Sequence, residues 1–225
     1  MQGALELDIS DLGGNVTVQV TNDNSQHVVV TADPGSLPQV NYQGQKMVLT
    51  SNGDITVFMP ESVALHLSAG VSDVEVDNFA GQLTAQTNSG TITLNNDTLS
   101  QGSSLNTNSG NIDVGQQSSV SDTSITSQTG AITLDQTNLS GQVTISTGGN
   151  GTIDYTGTLD PQGKYQFTTD SGSIDLNLPQ GTAMQMKISQ KSGDYHSDFA
   201  PTTGNPPQAS VGITTNSGDI TISQE

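Results

Sequence analysis

One turn recurs along this chain at nearly constant spacing, and that recurrence restricts the fold more than any other feature. Asn-Ser-Gly, Asp-Ser-Gly and related triplets set glycines at Gly90, Gly110, Gly130, Gly151, Gly172, Gly193 and Gly218, spaced 20, 20, 21, 21, 21 and 25 residues apart. Two residues after these glycines stand Ile92, Ile112, Ile132, Ile153, Ile174, Tyr195 and Ile220. Two further on come Leu94, Val114, Leu134, Tyr155, Leu176, Ser197 and Ile222. On the near side, Leu83 and Ala85, Tyr165 and Phe167, Met186 and Ile188, and Val211 and Ile213 keep the same alternation. A period of two belongs to strands with one buried face. The residues filling the units are mostly Thr, Ile, Val, Ser, Asn and Gly, which are poor helix formers.

A unit of about 20 residues is too small to bury its own apolar side, so the units must stack. The expected fold is all-β: a single-stranded right-handed β-helix, or β-solenoid, whose rungs each add about 4.8 Å of height. A β-sandwich would give an irregular repeat. At the bend, glycine is expected to supply the tolerance of positive φ that turns need. Asn88, Asn108 and Gln128 fall at one position of successive units, so their amides should form a ladder along the axis. Thr87, Thr107 and Thr215 recur one position earlier in their units.

Residues 1–60 keep β character in "ALELDIS", "NVTVQV", "HVVVTA", "KMVLTS" and "DITVFMP" but lose the register. They read as an N-terminal β cap with the first irregular rungs. Residues 61–225 read as regular rungs, most regular over 81–222, in one continuous domain. "PGSLPQ" (34–39) and "PTTGNPPQ" (201–208) read as loops. The final "NSGDITISQE" is expected to be a terminal rung with an open edge. Loop 201–208 would then cover it in part, with weak end-to-end self-association.

Charge excludes several functions. The chain has 22 acidic residues against four lysines (Lys46, Lys164, Lys187 and Lys191) and no arginine, a formal charge of -18. Phosphate backbones and anionic bilayers would be repelled, so no nucleic-acid partner is expected. No apolar run is long enough for a membrane span. "QGALELDIS" after Met1 has no basic and apolar export signature, so any export or anchoring segment is expected to be absent from this chain. Cysteine is absent, which removes disulfides and thiolate chemistry.

Only one column of residues suggests chemistry. Three residues after the turn glycines stand Thr93, Asp113, Thr133, Asp154, Asp175, His196 and Thr221. Asp154, Asp175 and His196 would face outward on three consecutive rungs. Carboxylates that close raise one another's pKa or recruit a cation, so this is a candidate column for Ca2+ and no other cofactor is expected. The same pair is what a β-helix hydrolase would use. A lyase lacks the arginine it would need. Polar residues on a solvent face are the plainer explanation, since a flat sheet offers no cleft. His27 and His66 lie far away in sequence. Tyr155, Tyr165, Phe167 and Tyr195 are expected to face inward and widen the core.

The rung pattern LxAxTxSGxIxL, the aliphatic run ending in Met59-Pro60, and the copies "SGSIDL" and "SGDITI" together resemble the bacterial putative-adhesin β-strand-repeat family, a domain of unknown function related to head-GIN domains. The resemblance spans residues 5–225. It implies a right-handed β-helix that is extracellular or faces outward from the cell envelope. It carries no catalytic residues over. The function it implies is a non-enzymatic scaffold for adhesion or surface interaction, with an unidentified protein or glycan as partner. The alternative is a carbohydrate-active β-helix enzyme working through Asp154 and Asp175.

Overall fold

The computed structural model describes residues 6–11, 13–21, 27–35, 37–60, 63–115 and 117–225. Ala4 and Leu5 of the expected first strand lie outside the described residues. Among the described residues every regular element is a strand, and the strands form two sheets of 12 and 14. Each rung contributes a strand to each sheet, joined at the recurring turn, and three rungs add a short further strand (Ala80–Gly81, Thr98–Leu99 and Ser119–Ser121) to the second. Register between rungs is in phase: Leu83–Thr87 aligns with Ser104–Thr107, and Ile92 pairs with Ile112. The chain is a β-solenoid.

Its lumen is filled by the residues that the alternation marked. Ile92, Ile112, Ile132, Ile153 and Ile174 are 0% exposed. Tyr155 and Phe167 stack at a tilt, ring centroids 5.8 Å apart. Both buried tyrosine hydroxyls are satisfied by backbone. Tyr155 donates to the carbonyls of Thr137 and Thr158, and Tyr165 to those of Leu139 and Asp160.

The turn glycines serve a different purpose from the one expected. Among the seven, only Gly193 has a positive φ. The others are required because the rung beneath leaves no room. A Cβ at Gly110 would lie 1.9 Å from the Gly90 carbonyl oxygen, one at Gly130 1.9 Å from that of Gly110, and one at Gly172 1.8 Å from that of Gly151. Beside Gly90, Gly110, Gly130 and Gly172 a buried hydroxyl three residues earlier ties the corner. Thr107 Oγ1 accepts from Gly110 N at 2.9 Å, and Ser127 Oγ accepts from Gly130 N at 2.8 Å. The Ser127 hydroxyl also donates to Gly110 O, one rung below, at 3.0 Å. Of the expected amide ladder, Asn108 Nδ2 donates to Asn88 Oδ1 at 2.5 Å.

Rung order in space departs from chain order at both ends. Strand Glu6–Asp11 pairs on one side with Lys46–Ser51 and on the other with Ala64–Ala69. Val16–Val20 is likewise held between Ile55–Met59 and Val74–Asp77. At the opposite end, Ala209–Ser217 inserts between Lys164–Thr169 and Met184–Ser192. Ile220–Gln224 inserts between Ile174–Leu178 and Tyr195–Ser197. "NSGDITISQE" is therefore not the open rung. Insertion pairs both of its edges, and the outermost rung is Met184–Ser192 with Tyr195–Ser197.

The two ends are closed unequally. Antiparallel strands Val29–Ala32 and Gln39–Gln43 cover the edges of Ile55–Met59 and Lys46–Ser51. At the far end only Thr202–Thr203, inside loop 201–208, pairs antiparallel with Met184 and Gln185. Tyr195 keeps the inward register opposite Ile220 but is 48% exposed, because no rung lies beyond it.

Candidate functional site

The sequence-derived column is only partly assembled. Asp154 and Asp175 are direct register partners. Burial, with Asp175 alongside, holds the Asp154 carboxyl above its usual range. His196 does not join them. The inserted rung sets Thr221 between Asp175 and His196, and His196 Nε2 instead lies 3.2 Å from Asp198 Oδ1. Among the described residues, no three His, Asp or Glu side chains converge as a metal would require. The broken column follows from the rung exchange, which the spacing of the repeats does not encode.

What the register does assemble is a sorting of charge between the two sheets. The outward positions of the second sheet carry Glu75, Asp77, Asp113, Asp135, Asp154 and Asp175. The first sheet is different. From Ala64–Ala69 to Met184–Ser192, no described outward position is a carboxylate. In register, one column runs Thr84, Ser104, Ser124, Thr144, Gln166. Beside it runs Gln86, Asn106, Thr126, Ser146, Thr168. A protein of net charge -18 thus has one broad face of hydroxyls and amides. The signal is in the sequence, as the polar partners of the alternation seven to four residues before the glycines, but hydroxyls and amides there are what any solvent-facing strand carries.

Grooves are shallow. One of about 410 Å³ on the acidic sheet is lined by Asn15, Thr17, Asp73, Glu75, Thr91 and Thr93 among others. Asp73 is occupied there, its Oδ1 accepting from Thr91 N at 2.7 Å. A second, of about 270 Å³, opens on the neutral sheet around Lys164, Gln166 and Lys187. Neither Asp154 nor Asp175 lines either one.

A buried acid also escaped the sequence reading. Asp97, 0% exposed, sits at a corner where Asn96 takes φ 58°. Its Oδ1 accepts from Phe79 N at 2.5 Å, while Oδ2 has no partner. Burial outweighs that hydrogen bond and pushes its pKa up from 3.8 to about 7. Between those values the folded state holds a proton that the unfolded chain has released. Stability therefore falls as pH rises through that window and levels off above it, by about 2–4 kcal/mol from this group. Asp113 and Asp154, also raised by burial, add in the same direction. Urea midpoints should be higher at pH 5 than at pH 8, and Asp97→Asn should remove most of the difference. An unchanged difference in the variant would place the effect elsewhere.

The family model described as Toastrack DUF4097 matches residues 3–125 and again 104–223. No curated protein matches the chain. A solved structure described as a putative lipid binding protein from Parabacteroides distasonis superimposes with TM-score 0.51 at 13% identity, covering 98% of this chain and 94% of that one. A second, described as a putative cell adhesion protein from Clostridium sporogenes, gives TM-score 0.24 at 10% identity over 99% and 94% of the two chains.

Proposed function

This chain belongs to the Toastrack DUF4097 family, and we propose that it is a non-catalytic cell-envelope or extracellular scaffold that binds surfaces through the carboxylate-free stretch of its first sheet. The observation carrying this reading is the charge sorting. A molecule of charge -18 is repelled by most biological surfaces, and only a face free of carboxylates can approach one closely. That face is long, flat and built on rigid rungs, which suits repeated weak contacts rather than a single deep site.

An enzymatic role through Asp154 and Asp175 has two adjacent carboxylates but no cleft to hold a substrate. Lipid uptake into the lumen has no room, since its lining residues are packed against one another.

Binding of the purified chain to isolated bacterial envelopes tests the reading. Ser124→Glu with Thr144→Glu should weaken retention by roughly tenfold, because two unpaired charges are desolvated in the contact. Asp154→Asn with Asp175→Asn should leave it unchanged. The opposite ranking, or release of reducing ends from a polysaccharide that Asp175→Asn abolishes, would replace the scaffold with the acidic-face enzyme.

A further inference from the structure

The neutral sheet contains one cationic groove, and we infer that it binds a glycan chain bearing widely spaced carboxylates. This rests on the surface-binding reading above and names its ligand class. The groove lies across strands Gln142–Thr147, Lys164–Thr169, Ala209–Ser217 and Met184–Ser192, and encloses about 270 Å³. Register puts Ser210 between Lys164 and Gln185, and Gly212 between Gln166 and Lys187. The two lysines thus stand at diagonal corners, about 10 Å apart along the axis and about 7 Å along the strands. Between them Gly212 has no side chain, and this makes the depression. A Cβ there would come within 2.2 Å of Gln166 Oε1. Lys164 and Lys187 are half of the chain's lysines, and neither forms an ion pair among the described residues. Lys46, by contrast, is neutralised by Glu6 at 3.1 Å and Asp8 at 2.8 Å. Asp122, at the corner beside Gln142, is engaged with backbone, its Oδ1 accepting from Gln142 N at 2.8 Å.

The chemistry of the lining selects the ligand. Two ammonium groups on flexible four-carbon stems can close on one anion from both sides. Gln142, Thr144, Gln166 and Ser210 supply groups that both donate and accept, as sugar hydroxyls do. Their columns continue along the sheet at a spacing of about 4.8 Å, a track for an extended polymer rather than a compact solute. None of the exposed large apolar residues Val29, Leu37, Val40, Tyr42, Val71 and Tyr195 lines this groove, so it lacks the anchors of a peptide or acyl-chain site. A densely charged polyanion would be repelled by the rest of the molecule. What remains is a mostly neutral chain with isolated carboxylates.

Calorimetric titration with an oligosaccharide alternating N-acetylglucosamine and glucuronate, and with its carboxyl-reduced counterpart, tests this. The wild type should prefer the acidic form by roughly tenfold, as expected for a charge-assisted contact. Lys164→Gln with Lys187→Gln should abolish the preference, and Gly212→Thr, which fills the groove without altering charge, should do the same. Lys191→Gln, which removes a lysine outside the groove lining, should keep it. Equal binding of the two oligosaccharides by the wild type, survival of the preference in the double variant, or stronger binding to vesicles rich in anionic lipid would overturn the assignment. Envelope retention without a carboxylate preference would sink the groove alone, whereas loss of both would sink the surface reading with it.

Discussion

Replacing Gly130 with alanine is expected to destabilise the protein by about 3 kcal/mol or more, although the change adds a single methyl group. The methyl would lie 1.9 Å from Gly110 O and 2.5 Å from the same carbonyl carbon. That is more than an ångström inside ordinary contact, and the obstacle is backbone rather than a side chain that could swing away. Relief requires moving one rung off the next. This would stretch the 2.8 Å bond from Gly130 N to Ser127 Oγ and the 3.0 Å bond from that hydroxyl to Gly110 O. Gly181→Ala is the control. Gly181 has φ 84° but nothing within 4 Å of its absent Cβ, so alanine there meets only backbone strain, about 1 kcal/mol. Urea denaturation of the two variants separates the causes. Equal losses would mean that the turn glycines serve conformation and not close approach.

That contrast marks where the sequence stops being readable. Period-two alternation predicted the buried set because side-chain facing is a local property of a strand, and Ile92 through Ile174 occupy the lumen as it required. The stacking of units followed from their size. The reason for the turn glycine did not follow, because the clash belongs to the neighbouring rung and not to the turn itself. The rung exchange was hidden for a similar reason. Strands Glu6–Asp11 and Ala209–Ser217 carry alternation that fits any slot in the stack, and local pattern does not say which slot. That ambiguity put Asp175 beside His196 in the expected column, where Thr221 actually stands. It likewise marked the wrong rung as open. Asp97 was missed because an aspartate at a corner reads as a solvated turn residue. Only the packing of Phe79 and the Ser118 hydroxyl, which accepts from Asp97 N at 3.1 Å, makes that corner dry.

Ile132→Asp should be the most damaging single substitution of those considered, by more than about 5 kcal/mol. Ile132 is 0% exposed and lies in register between Ile112 and Ile153, so rungs on both sides surround it. Truncation leaves a cavity, and the carboxylate would have no partner and no route to water. In a stack stabilised mainly by nearest-neighbour contacts, the lesion should separate the rungs before it from those after it. Limited proteolysis is then expected to cut near residues 115–150 while each half keeps some protection. Ile188→Asp carries the same chemical change to the outermost rung, where the side chain is only partly buried and its single register partner is Ile213. There the carboxylate can turn outward, and the expected cost is about 1–2 kcal/mol. Chemical denaturation at pH 8, where both introduced acids ionise in the unfolded chain, gives the comparison. Similar losses for the two variants would mean that the edge of Met184–Ser192 is covered in solution, as it would be if two molecules met end to end.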